Sequence, residues 1–152
     1  MKKLTFKTEI NATAEHVFDT MVDPIHLLEW MSVFSTDSSF EGKWEKGESV
    51  IFKCFNEKGE LCGLVCRIEE FIPNELIYIQ PYGTLENGIL FDKGEKVLGL
   101  DSTYEKYIFN QRENTTELII EASAMDDYVQ FFNETWPIAL LKIKDICENT
   151  SS

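Results

Sequence analysis

The strongest constraint on the fold is a helical stripe near the C-terminus of the chain. Apolar side chains recur there at steps of three or four residues, the spacing of one face of an α-helix: Val129, Phe132, Trp136, Leu140, Ile143 and Cys147. Pro137 interrupts the backbone hydrogen bonding of this stretch, so we expect either a kink there or a main helix that begins near Thr135. No other segment predicts a helix long enough to cover a sheet.

The first thirty residues predict a strand and two short helices. Apolar and polar residues alternate over residues 4–10, which is typical of a half-buried strand. Thr13 offers an N-cap to a helix over residues 14–22, and Asp23-Pro24 begins a second helix that ends near Trp30.

The middle of the chain reads as a series of strands. We expect them at residues 37–40, 49–55, 61–72, 76–82, 102–110 and 115–123. Residues 83–100 show no clear element, although the triplet Ile89-Leu90-Phe91 suggests that this segment folds back over the protein. The order predicts an α+β fold in a single domain over residues 1–148, with a frayed tail at 149–152. It consists of a curved antiparallel sheet of about seven strands around the long C-terminal helix.

The charge balance excludes several partners. Against 14 Lys and Arg residues stand 27 Asp and Glu residues, and the net charge is −13. Because phosphates attract basic surfaces, we expect no nucleic-acid binding. No segment is apolar enough to enter a membrane. Lys7 and Glu9 interrupt any apolar core of a signal peptide, so the cytoplasm is the expected compartment.

The cysteines do not suggest a metal site. Cys54, Cys62, Cys66 and Cys147 form no Cys-x-x-Cys pair, and both histidines are distant in sequence. We expect them to be reduced and buried, although Cys54 and Cys62 could meet across a hairpin and form a disulfide. No cofactor and no metal are predicted.

Several segments resemble one known superfamily. Residues 10–18 (INATAEHVF), then Asp23-Pro24 and Trp30, resemble the opening of the SRPBCC superfamily, also called START-like or birch-pollen-allergen-like. Residues 63–76 are similar to its two central strands. The pattern from Trp136 to Lys144 resembles the closing helix of a bacterial branch, which is related to the activator of the ninety-kilodalton heat-shock-protein ATPase. The resemblance covers nearly the whole chain and implies the helix-grip fold.

The resemblance also implies a ligand cavity between the sheet and the long helix. With the strand phasing above, we expect the following residues to line it and to contact a ligand: Phe18, Met21, Trp30, Phe52, Cys66, Ile68, Tyr78, Tyr104, Leu118, Ile120, Trp136 and Leu140. The same side chains could instead fill a solid core.

The expected function is the binding of an apolar, lipid-like or aromatic small molecule. One alternative is a cyclase- or hydrolase-like enzyme that acts on a polyketide-like substrate, with Glu70, a tyrosine, His16 or His26 as acid or base. Another is an interaction module that modulates a chaperone ATPase. A homodimer and a protein partner both remain open. No catalytic residue is predicted, because no Ser/His/Asp or Cys/His spacing and no glycine-rich phosphate loop occurs.

Overall fold

The N-terminal third has the predicted strand and two capped helices. In this computed structural model, which describes residues 1–150, these elements are β1 (Lys2–Ile10), α1 (Ala14–Val22) and α2 (Pro24–Met31). The Thr13 hydroxyl accepts the backbone N–H of His16 at 3.2 Å. The Asp23 carboxylate accepts the first N–H groups of α2 at 3.1 Å. Each cap satisfies donors that have no partner within the helix, which explains where the two helices begin.

The remaining elements are seven strands, two short 3-10 turns and one long helix. They are β2 (Ser39–Glu41), β3 (Ser49–Phe55), β4 (Leu61–Ile72), β5 (Leu76–Glu86), β6 (Ile89–Phe91), the turns Glu95–Val97 and Leu100–Ser102, β7 (Tyr104–Gln111), β8 (Thr116–Ala124) and α3 (Asp126–Asn149). All eight strands join one antiparallel sheet in the order β1-β8-β7-β5-β4-β3-β2, with β6 beside β5. The α+β fold and the sheet around a long helix are confirmed, with one strand more than expected.

The extra strand lies in the segment that showed no clear element. β5 continues to Glu86, beyond the predicted end at Tyr82, and the chain turns at Asn87 and Gly88 to return as β6. Both turn residues have positive φ, 51° and 76°. This is the backbone of a tight hairpin turn, for which Asn-Gly is a favoured sequence.

A bulge in β4 changes the direction of side chains in the central part of the sheet. The register of β4 against β5 shifts between Ile68 and Glu70, which leaves Glu69 as the extra residue. Glu70 therefore lies opposite Tyr78. The bulge explains how Glu69 and Glu70 can follow each other without placing a charge in the core.

Helix α3 is continuous through Pro137. Proline supplies no N–H for the carbonyl of Asn133 four residues earlier. Both Pro137 and Asn133 are exposed, so water can hydrate this carbonyl. Because the helix begins at Asp126, the alternative in which the main helix begins near Thr135 is wrong. Among the described residues, no helix is long and apolar enough to cross a membrane.

The core lies between the inner face of the sheet, α1, α2 and the C-terminal half of α3. The buried side chains of that half are Ala139, Leu140, Ile143, Ile146 and Cys147. Leu140, Ile143 and Cys147 belong to the predicted stripe, and Ala139 and Ile146 lie beside it. The N-terminal half of α3 packs less closely against the sheet. Its large side chains Tyr128 and Phe131 are 56% and 42% exposed.

Candidate functional site

A cavity of about 650 Å³ lies under the N-terminal half of α3. Its floor is the inner face of β3, β4, β5 and β7, and α2 and the Leu100–Ser102 turn complete its walls. It is partly open to solvent. Pockets for small organic ligands have volumes of roughly 300–1,000 Å³. The space is therefore large enough for such a molecule.

The structure divides the predicted lining residues into two groups. Trp30, Phe52, Cys66, Tyr104 and Trp136 border the cavity. The second group packs in the buried core instead and consists of Phe18, Met21, Ile68, Leu118, Ile120 and Leu140. These core residues lie on the inner side as predicted, but closer to α1 and the C-terminal half of α3, where no space remains.

Tyr78 faces away from the cavity. Its neighbours in β5, Ile77 and Ile79, are buried in the core, so alternation places Tyr78 on the outer face of the sheet. Its ring packs against the Tyr104 ring at 5.8 Å, with the Lys106 ammonium 4.9 Å from the centre of the Tyr78 ring. The prediction that Tyr78 faces the cavity is therefore wrong, because the residues of β5 that face inward are its two neighbours.

Tyr104 borders the cavity with its side chain turned toward the outer face. Its hydroxyl donates to the Glu121 carboxylate at 2.8 Å. Because this bond stabilises the neutral phenol, the pKa of Tyr104 rises to about 12. The Tyr104 hydroxyl therefore already has a hydrogen-bond partner within the protein, the Glu121 carboxylate.

Four aromatic rings form the inner wall of the cavity. The Trp136 ring lies 6.0 Å from that of Trp30, 5.9 Å from that of Tyr107 and 4.9 Å from that of Phe34, measured between centroids. All four residues border the cavity. Their edge-to-face and tilted contacts fix the rings without closing the space.

Glu105 is an acidic side chain in this wall that the sequence reasoning missed. Glu105, Tyr107 and Phe109 alternate along β7 on its inner face, and the Tyr107 hydroxyl donates to Glu105 Oε1 at 3.0 Å. Burial raises the pKa of the Glu105 carboxyl to about 7, and the hydrogen bond from Tyr107 opposes this shift. Near neutral pH this carboxyl can therefore hold or release a proton.

Two further polar atoms of lining residues have no hydrogen-bond partner among the described residues. They are the indole Nε1 of Trp136 and the hydroxyl Oγ1 of Thr84, both buried. A buried donor without a partner costs about 1–3 kcal/mol. A polar group inside the cavity could satisfy such atoms.

Each of the other charged residues that border the cavity forms an ion pair with an oppositely charged side chain. Lys53 contacts Glu41 at 3.2 Å, and Lys96 contacts Glu86 at 2.9 Å. Glu105 forms no ion pair within residues 1–150. It is the one uncompensated charge in the lining of this cavity.

Cys54 and Cys62 lie side by side on the cavity floor. They are directly opposite each other in β3 and β4, with their sulfur atoms 2.9 Å apart. Burial raises the pKa of Cys54 to about 12, so this thiol is protonated at neutral pH. Both are free cysteines here.

The acid and base candidates considered from the sequence lie outside the cavity. Glu70 forms an ion pair with Lys46 at 2.9 Å. His26 contacts Glu29 on the surface of α2. His16 is buried, with Nε2 3.0 Å from the Cys147 carbonyl oxygen. None of these three side chains could reach a ligand under the N-terminal half of α3.

No protein-family model and no curated protein matches the chain. Solved structures match it over nearly its full length. The Aha1 dimer from Colwellia psychrerythraea shares 19% identity over 100% of both chains, with a TM-score of 0.71. SSP2350 from Staphylococcus saprophyticus shares 20%, covering 97% of this chain and 93% of that one, with a TM-score of 0.64. DynU16, from the dynemicin biosynthetic locus, shares 11% over 98% of this chain and 48% of its own, with a TM-score of 0.69.

Identities at this level establish a fold and leave function to be argued from the site. The matches span the sheet, the short helices and α3, which together make up the architecture that the sequence resemblance implied. The chain therefore has the helix-grip fold.

Proposed function

We propose that the protein binds an apolar small molecule in the cavity between the sheet and the N-terminal half of α3. The observation that carries this proposal is the space of about 650 Å³ with its apolar lining. Phe34, Phe52, Leu64 and Phe132 border the space and are only partly buried, so they offer apolar surface to a flat or aliphatic ligand. The few polar atoms of the lining could orient it.

The test is a titration with 1-N-phenylnaphthylamine, a neutral apolar dye that becomes fluorescent on leaving water. We expect saturable binding and quenching of tryptophan emission, because Trp30 and Trp136 border the cavity. The variant Leu64→Trp adds a large ring to the cavity floor and should abolish binding. Ile108→Trp is its control, since Ile108 lies on the opposite face of the sheet.

An unchanged affinity in Leu64→Trp, with both variants folded by circular dichroism, would place the dye elsewhere and contradict the proposal. Absence of saturable dye binding to the unaltered protein, together with no change in its melting temperature across lipid and aromatic libraries, would also contradict it.

Glu105 favours a second candidate, an enzyme of the cyclase or hydrolase kind. A carboxyl with a pKa of about 7 that borders a cavity is suited to general acid–base catalysis near neutral pH. DynU16 is described as a protein of a biosynthetic locus. Glu105 would replace Glu70, His16 and His26 as the acid or base. Incubation with polyketide-like substrates should then give a product whose formation stops in Glu105→Gln.

Self-association and chaperone modulation stay predictions. The Aha1 structure from Colwellia psychrerythraea is described as a dimer, which supports a homodimer here. Light scattering after size exclusion should then give twice the mass of one chain. Modulation of a chaperone ATPase predicts a changed ATPase rate when the host's ninety-kilodalton chaperone is mixed with this protein.

A further inference from the structure

We propose that the ligand carries a basic amine on its apolar body, and that the amine forms an ion pair with Glu105. This inference rests on the function proposed above and adds the chemical class of the ligand. It follows from three features of the cavity: the uncompensated carboxylate, its apolar surroundings and the paired charges elsewhere in the lining.

The Glu105 carboxyl has unused hydrogen-bonding capacity. Oε1 accepts the Tyr107 hydroxyl at 3.0 Å, and Oε2 has no hydrogen-bond partner within residues 1–150. The hydrogen bond from Tyr107 holds the carboxyl in one orientation. A primary ammonium group has three donors and could bind Oε2 while its apolar body occupies the cavity.

One aromatic side chain contacts the carboxyl, and two more pack behind it. The Tyr107 ring, whose hydroxyl donates to Glu105, lies 6.2 Å from the Trp30 ring and 5.9 Å from the Trp136 ring. These buried rings make the surroundings of the carboxyl apolar. Because the attraction between opposite charges is stronger in apolar surroundings than in water, they favour a cationic group on the ligand beside the carboxylate.

The remaining charges do not favour an anionic ligand. Lys53 and Lys96 border the cavity, but each is within 3.2 Å of a carboxylate oxygen, on Glu41 and Glu86 respectively. A ligand carboxylate would meet Glu105 without a free cation to balance it. Like charges brought together in a cavity of low polarity repel strongly.

Glu105 is also the group of this cluster that changes charge near neutral pH. The titratable groups facing it are Tyr107 on its own strand and Cys66 on β4. Burial raises the pKa of both, that of Cys66 with a further contribution from Glu105, so both stay neutral at physiological pH. Binding of an amine should therefore strengthen as the pH rises through about 7, where the carboxyl ionises.

Three probes of nearly equal shape test the inference: 1-naphthylmethylamine, 1-naphthylmethanol and 1-naphthoic acid. Affinities are measured by calorimetry and by quenching of tryptophan emission at about pH 8. We expect the amine to bind about tenfold more tightly than the alcohol, because a hydrogen bond to a charged group contributes more than a neutral one. The acid should bind most weakly.

The variant Glu105→Gln keeps an oxygen that can accept the Tyr107 hydroxyl and removes the charge. The amine should then bind no more tightly than the alcohol, and its pH dependence near 7 should disappear. Glu113→Gln is the matched control, because Glu113 is an exposed carboxylate in the β7–β8 turn. It should keep the full preference. Tyr107→Phe provides a second variant that keeps the charge and loses the orienting hydrogen bond, so the preference should fall without vanishing.

The outcomes separate the two proposals. If the alcohol binds as tightly as the amine, or if Glu105→Gln keeps the preference for the amine, the inference is wrong while the apolar cavity site stands. If none of the three probes binds and the dye does not bind either, the proposed function fails together with the inference.

Discussion

Replacing Glu105 by glutamine should stabilise the protein at alkaline pH much more than at acid pH. Burial raises the pKa of this carboxyl from its ordinary value of 4.5 to about 7. Ionisation therefore costs the folded state more than the unfolded state. The penalty is absent below about pH 4.5, grows up to about pH 7 and stays constant above it. Since one pKa unit corresponds to about 1.4 kcal/mol, the penalty at high pH is about 3 kcal/mol.

Urea unfolding at about pH 5 and about pH 8.5 measures this effect. Most of the penalty develops between these two values, so the gain in the free energy of unfolding from Glu105→Gln should be about 2.5 kcal/mol larger at the higher pH. Glu113→Gln should show no such difference, because Glu113 is exposed. Equal gains at both pH values for Glu105→Gln would show that the carboxyl titrates normally and would refute the reasoning from burial.

Three further predictions concern the rest of the fold. Gly88→Ala should lower the free energy of unfolding by about 1 kcal/mol, measured in urea, because its φ of 76° strains any side chain although no atom lies near its Cβ. Ile143→Ala should lower it by about 2–5 kcal/mol in the same assay, since Ile143 is fully buried. Diamide, which accepts the two thiol hydrogens, should oxidise Cys54 and Cys62 to an intramolecular disulfide, and peptide mass mapping should find this link absent in Cys54→Ser.

The order and type of most helices and strands could be predicted, because the spacing of apolar residues and the helix N-caps are local signals. The stripe from Val129 to Cys147 gave the long helix, and Thr13 and Asp23 gave the starts of the two short ones. The hairpin at Asn87 and Gly88 also had a local signal, the Asn-Gly dipeptide. It was missed because the returning strand β6 has only three residues, too few to show an alternating pattern.

The site was harder to predict because strand phase depends on single residues. The prediction that Tyr104 and Tyr78 face inward implied that Glu105 faces outward. In the structure, Glu105, Tyr107 and Phe109 alternate along the inner face of β7. A charged residue is also a poor candidate for an inner face on propensity alone. Phase could have been fixed by Phe109 and Tyr107, whose large rings favour burial.

The division between cavity and core could not be read from the sequence. Trp136 and Leu140 share one face of α3, yet Trp136 borders the open space and Leu140 the packed core. What separates them is the distance between helix and sheet at each point, which depends on the sheet's curvature and the neighbouring helices. Hydrophobic pattern specifies the inner face and carries no information about this distance.

Helix α3 should tolerate substitutions differently on the two sides of Pro137. The turns after it hold fully buried residues such as Ala139 and Ile143, where substitutions are costly. The turns before it contribute Tyr128 and Phe131, which border the cavity and remain about half exposed. Substitution of Tyr128 or Phe131 should therefore lower the free energy of unfolding less than substitution of Ala139 or Ile143. Residues of one helix thus differ in how strongly the fold depends on them.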